Sequence, residues 1–250
     1  MSESTAAAGA GKRVRKKVQA APAPNLTRTR FNPLAPDRVR AIMEALRDAY
    51  PGAHCELRHR SAWELLAATI LSAQCTDVRV NLVTPILFDH YPTVATMAQA
   101  APEEIEPLIR STGFFRNKAK SLVGAARRMV AAYCGHVPDT MEDLLSLPGV
   151  ARKTANVVLG VWYRKAVGVV VDTHVQRIAH RLQFTRHTDP KHIEQDLMRL
   201  LPERDWIDVS HLLIWHGRRL CRARKPQCRE CPIETQCHAK DKTWRSAAGS

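Results

Sequence analysis

Two apolar helical faces run into one another across Leu147-Pro148-Gly149-Val150, and no other stretch of the chain restricts its fold as much. Leu144, Leu145 and Leu147 lead into the break, and Ala155, Val158, Leu159 and Trp162 leave it at helical spacing. Proline presets φ and glycine accepts conformations closed to other residues, so the pair brings two helices together at a very tight hairpin. The amides of the hairpin and of the second helix's first turn have no partners within that helix. With the positive end of the helix dipole they make an anion site.

Arg152 and Lys153 stand in that first turn. Arg152 is read as a phosphate ligand, together with the hairpin backbone at Gly149 and Ala151. Lys153 has a second capacity. A helix N-terminus disfavours an ammonium and partial burial would disfavour it further, leaving more free amine for attack. Asp172, nineteen residues downstream in Val171-Asp172-Thr173-His174, is the carboxylate expected beside it, as proton acceptor and electrostatic partner. Ionised, it would pull the amine's equilibrium the other way. Lys153 and Asp172 are therefore the expected catalytic pair.

The rest of the chain is punctuated like a helical bundle. Val39, Ile42, Met43 and Leu46 share one face after Asp37 and before Tyr50-Pro51-Gly52. Ser61 and Glu64 have capping-box spacing ahead of a buried central helix through Leu65, Leu66, Thr69, Ile70 and Leu71. Further helices are expected over 78–91, 93–99, 102–111, 117–133, 140–146, 173–182, 190–200 and 208–220. The run Val167 to Val171 is ambiguous by periodicity alone. No internal repeat at a solenoid period is visible. The expected fold class is all-α.

A net charge of +14 and a pI near 9.9 point to a polyanionic partner, with nucleic acid the leading choice. Lys12, Arg13, Arg15, Lys16, Lys17, Arg28 and Arg30 face Glu3 alone in residues 1–30, which read as an unstructured basic arm. No apolar run reaches the roughly 18 to 20 residues needed to span a bilayer, and the start lacks a signal-peptide core.

Four of seven cysteines fall within residues 221–237 as Cys221-x6-Cys228-x2-Cys231-x5-Cys237. Four thiolates in one short loop can enclose a metal ion or a cluster. Structural zinc and an iron-sulfur cluster both fit this spacing, while disulfides are disfavoured for a basic intracellular chain. Cys55, Cys75 and Cys134 read as core. Arg218, Arg219, Arg222, Arg224, Lys225 and Arg229 surround the ligands at a density that fits phosphate contact.

Leu71-Ser72-Ala73-Gln74-Cys75-Thr76-Asp77, the hairpin from Leu147 to Leu159, Val171-Asp172-Thr173-His174 and the four-cysteine spacing, in that order, resemble the endonuclease III family of helix-hairpin-helix, iron-sulfur DNA glycosylases. The resemblance covers roughly residues 31 to 240. It implies two helical domains with a DNA cleft between them. Residues 55–166 would be a six-helix domain with the hairpin motif at about 140–162, and residues 31–54 plus 167–240 a second domain holding a [4Fe-4S] cluster on Cys221, Cys228, Cys231 and Cys237. Residues 1–30 would be a disordered tail and 241–250 a flexible C-terminus.

The resemblance also implies a damaged base extruded from double-stranded DNA. Lys153 would attack C1′ to form a Schiff base, Asp172 would assist, and β-elimination would nick the abasic site. Gln74 would fill the gap left by the nucleotide and Phe114 would be the opposing wedge. His174, Arg222, Arg224, Lys225 and Arg229 would lie on the phosphate side. Expected substrates are oxidised pyrimidines and abasic sites, acted on by a monomer free of membranes, cytoplasmic and nucleoid-associated in a bacterial cell, with a nucleus or organelle left open. A monofunctional adenine or thymine mismatch glycosylase is the nearest alternative, and a non-catalytic DNA-binding module the alternative of another class. Lys153 speaks against both. Glycine is usual in this family at Ala151, so strain or a more distant phosphate, and weaker DNA binding, are expected there.

Overall fold

Pro36 occupies the first turn of the first helix, where its missing N–H removes no bond. That helix, α1 (Pro36–Ala49), buries Val39, Ile42, Met43 and Leu46. The computed structural model describes residues 31–244, so the basic arm 1–30 and residues 245–250 lie outside the described residues. Ser61 Oγ caps α2 (Ala62–Leu71) by accepting from the Glu64 amide. The Glu64 carboxylate accepts from the Arg60 amide at 2.7 Å, one residue before the partner a full capping box would use. Every residue of α2 from Trp63 to Leu71 is buried, as befits a helix apolar on all sides.

Thr76 caps α3 (Asp77–His90), and a Thr93–Thr96 capping box starts α4 (Val94–Gln99). α5 (Pro102–Ile109) runs into a 3-10 turn, Arg110–Thr112, and then α6 (Phe115–Tyr133), α7 (Met141–Leu145) and α8 (Arg152–Val161). α9 (Thr173–Arg181), α10 (Pro190–Leu200) and α11 (Trp206–Arg219) complete the helices. Seven α-helices thus fall within residues 55–166, one more than the six expected, two of them only five and six residues long. Val167 to Val171 is no strand among the described residues; Val170 N donates to Ser210 Oγ of α11, which takes the place of a neighbouring strand.

From Pro33 the described chain is one compact unit with two hydrophobic clusters. One gathers buried side chains from Leu57 to Leu159, centred on α2 and α6. The other joins Val39–Tyr50 to residues between Val169 and Ile233. A cleft of about 1320 Å³ is lined by residues from both stretches. Residues 241–244, expected to be flexible, are tied back: Asp241 pairs with Arg181, and the covered side chain of Lys242 with the buried Glu234.

Candidate active site and cysteine pocket

Gly149 makes the hairpin. Its φ is +78°, and a Cβ there would stand 2.4 Å from Ser121 Cβ, so the position needs glycine for both conformation and space. Ala151 is the residue before α8, at φ −100° and ψ 169°. That is extended backbone open to alanine, so the strain expected at Ala151 is absent; only the distance between its methyl group and an arriving anion remains. No side chain caps the first amides of α8.

Arg152 points to another helix. Its Nε and Nη2 donate to Glu194 of α10 at 2.7 and 3.0 Å, and Asn156 Nδ2 donates to the same carboxylate at 2.8 Å. Glu194 is buried, and Gly168 crosses so close that a Cβ there would lie 2.2 Å from Glu194 Oε1. Arg152 therefore neutralises a buried carboxylate and clamps the start of α8 to α10. Lys153, next in sequence, is exposed, and its amine makes no hydrogen bond or ion pair among the described residues. The partial burial expected for it is not found, because the first turn of α8 lies on the cleft wall.

Asp172 is the N-cap of α9. Its Oδ1 accepts from the amides of His174 and Val175, both at 2.8 Å, which leaves Oδ2 without a partner among the described residues. Lys153, Asp172, His174 and Gln74 all line the one cleft. His174 is half-buried, and burial pushes its imidazole below the ordinary value; the Asp172 carboxylate opposes this, and Arg177, 3.2 Å from Nδ1, adds to the lowering. Gln74 is exposed on the loop between α2 and α3 with φ +51°. Phe114 is 64% exposed at φ +48°, beside Gly113 at +70°, and stands outside the lining of the cleft.

Three contacts, two on this wall and one in the core behind it, carried no signal in the sequence. Arg218 bridges Glu56 and Asp77, the latter at 2.8 Å, and Arg219 also reaches Glu56 at 3.0 Å while its guanidinium sits 3.7 Å from the Trp215 ring centroid. Burial alone would raise the Glu56 carboxyl, yet the two guanidinium donors hold it below its usual value. Lys118 of α6 is buried and donates to Leu71 O and Thr112 O at 2.8 and 2.7 Å. Glu56 and Arg218 are 162 residues apart in sequence, and Leu71 and Lys118 are 47 apart.

Cys221, Cys228, Cys231 and Cys237 line a second, small pocket with Ile178, Leu182 and Ile233. No three His, Cys, Asp or Glu among the described residues form a group that could hold a metal ion as they stand. Arg181 Nη1 donates to Cys221 Sγ at 3.1 Å, and His216 Nε2 lies 3.6 Å from Cys231 Sγ with its Nδ1 hydrogen-bonded to Tyr50 at 2.9 Å. Burial pushes the Cys231 thiol up to about 12, with its cysteine neighbours adding to the rise, and raises Cys221 and Cys237 as well. A cationic centre would reverse that preference, since only thiolates ligate metal. Four soft donors, an apolar wall and donors aimed at sulfur fit a thiolate-bound centre. Arg222, Arg224, Lys225 and Arg229 are exposed around this pocket and stand outside the cleft lining.

A hairpin between two helices, with a lysine and a helix-capping carboxylate in one cleft, is the arrangement of a class of DNA repair proteins. Residues 67–203 match the family model of the HhH-GPD superfamily base excision DNA repair proteins. Endonuclease III of Synechocystis sp. is 54% identical over 200 residues, covering 80% of this chain and 91% of that protein. Endonuclease III of Bacillus subtilis is 40% identical over 206 residues, covering 82% and 94%. A solved structure of a trapped endonuclease III–DNA covalent intermediate superposes with a TM-score of 0.78 at 41% identity, over 81% of this chain and 95% of that one. The chain belongs to the endonuclease III family within that superfamily.

Proposed function

We propose that this protein is a bifunctional base excision repair enzyme that removes oxidised pyrimidines from double-stranded DNA through a lysine Schiff base and then nicks the abasic site. The observation that carries the reading is the placement of Lys153 and Asp172 at the starts of two different helices on one cleft that also holds Gln74. The covalent DNA intermediate of the related endonuclease III supports the same chemistry.

In this reading the free amine of Lys153 attacks C1′ of an extruded nucleotide and the bond from C1′ to the base breaks, the base leaving with a proton. The C1′–nitrogen adduct opens the sugar ring to an imine. Loss of a proton from C2′ then expels the 3′ phosphate, which cuts the strand. The free Oδ2 of Asp172 serves as the electrostatic and proton-accepting group, with Oδ1 held by two amides. Gln74 fills the gap in the duplex and Phe114 wedges beside it. Gly149, Ala151 and His174 contact phosphate near the hairpin, and Arg222, Arg224, Lys225 and Arg229 do so from the cysteine loop. Arg152 joins them through the part of its side chain that Glu194 leaves exposed.

Cys221, Cys228, Cys231 and Cys237 would hold a [4Fe-4S] cluster. When bound, it supplies order to the basic loop, because base removal and β-elimination transfer no net electrons. The two hydrophobic clusters support a division into residues 55–166 and residues 31–54 plus 167–240. No helix among the described residues is long and apolar enough to cross a membrane, and the net charge of +14 supports work beside DNA in the cytoplasm or nucleoid.

Borohydride reduction during incubation with duplex DNA bearing an oxidised pyrimidine tests the reading directly. A covalent complex should form with the native protein and vanish in Lys153→Ala. Release of free base with no trapped complex would instead assign a monofunctional glycosylase.

A further inference from the structure

We infer that Lys118 is a positioning residue that fixes the spacing of the two loops carrying Gln74 and Phe114, an inference that rests on the roles proposed above for those two side chains. Lys118 lies in the first turn of α6 and is 5% exposed. Its ammonium donates to Leu71 O, at the end of α2, and to Thr112 O, at the end of the 3-10 turn. Carbonyls at helix ends have no partner within their helix, and here one cation takes two of them from separate elements. Gln74 follows Leu71 by three residues and Phe114 follows Thr112 by two, so each loop leaves directly from an anchored carbonyl.

Lys118 has no carboxylate partner among the described residues, and burial pulls its pKa down, with Cys75 opposing. A methionine would fill the same space without desolvating a charge. The ammonium favours this fold only through the two carbonyls it joins. Gln74 and Phe114 both stand in left-handed backbone, at φ +51° and +48°, conformations that non-glycine residues keep only where the surroundings hold them. Lys118 is the buried link between those two strained segments.

Both side chains act on the opening of a duplex, which requires a second strand. A single strand bearing an abasic site presents no gap to fill. Loosening the loops should therefore weaken the reaction on duplex DNA and spare the reaction on single-stranded DNA.

The test compares borohydride trapping by the full chain on one abasic oligonucleotide, alone and annealed, with 2-aminopurine placed opposite the site as a fluorescent report of unstacking. Lys118→Met is expected to slow trapping on duplex by about tenfold or more, in line with the effect of displacing a positioning contact, while single-strand trapping stays within about twofold of native. The fluorescence rise on binding should fall with it. Equal slowing on both substrates, or no slowing on duplex, would overturn the inference. If circular dichroism shows Lys118→Met unfolded, Lys118→Gln, neutral and shorter but still a double donor, should shift the ratio the same way by less. An unchanged ratio in that variant overturns the inference too. Absence of trapping by the native protein on either substrate would refute the lysine chemistry alone, and the fluorescence comparison would still decide the role of Lys118.

Discussion

The cleft and the cysteine pocket hold their functional groups by opposite means. In the cleft, backbone geometry does the holding: Gly149 turns the hairpin, Asp172 is fixed by the two amides it caps, and Lys153 leaves from the first turn of α8. In the pocket, side chains do it. Arg181 reaches the carbonyls of Cys221, Arg222 and Ala223, Lys242 reaches Glu234 and the Cys237 carbonyl, and Arg38 reaches Gln236. The regular turn among the four cysteines is a 3-10 turn at Cys228–Glu230, which starts on one of them. Helix ends thus fix one site through the backbone itself, whereas the irregular cysteine loop is fastened by cationic side chains that reach its carbonyls.

The sharpest way to break this contrast is Asp172→Asn. Asparagine still caps a helix, so unfolding should change by no more than about 1 kcal/mol, while base removal falls by about 10²- to 10⁴-fold as expected for a positioned acid-base group. Thermal unfolding and single-turnover base release measure both; a large loss of stability would show that the carboxylate is chiefly structural. Next in size, Cys228→Ser should abolish the visible absorbance of a thiolate-bound iron centre and lower affinity for DNA, while hydrogen exchange in α2 and α6 stays protected. Exchange rising equally in both hydrophobic clusters would erase the distinction between them. A colourless native protein that contains zinc would correct the nature of the centre.

Smaller effects probe how α8 is held. Glu194→Gln removes the charge that Arg152 answers and should cost about 1 to 2 kcal/mol in unfolding, less than a fully buried pair because the Arg152 side chain is 43% exposed. A denaturant titration checks it, and no change would mean the clamp is idle. The smallest effect belongs to Ala151→Gly. Glycine is the better N-cap, and removal of one methyl group should tighten DNA binding by less than about threefold at fixed salt. Equal affinity would show that no phosphate approaches that methyl group.

The same contrast decides what the sequence disclosed. Helix ends write themselves locally, in Ser61, Thr76, Thr93, Thr140, Asp172 and Asp189, each of which caps through its own side chain. The all-helical fold was legible from these and from apolar spacing. So was the family, through four short motifs. Contacts between distant residues leave no such mark. Arg152 looks like a free phosphate ligand until α10 brings Glu194 to it, and Arg218 looks like part of a basic loop until Glu56 and Asp77 meet it. Lys118 looks like any surface lysine in a helix, because its two partners are carbonyls, which every residue has. Val167 to Val171 misleads for a related reason: five residues of strand-like composition cannot pair without a second strand.

The clamp between Arg152 and Glu194 has a consequence for discrimination among lesions. With the base of α8 fixed, Lys153 moves only through the rotatable bonds of its own stem, a tether on a stationary anchor. Such a tether reaches any sugar delivered to the cleft and asks nothing about the base attached to it. In the proposed reaction the choice of substrate is therefore made before Lys153 attacks, by which nucleotides the duplex gives up and the cleft walls admit.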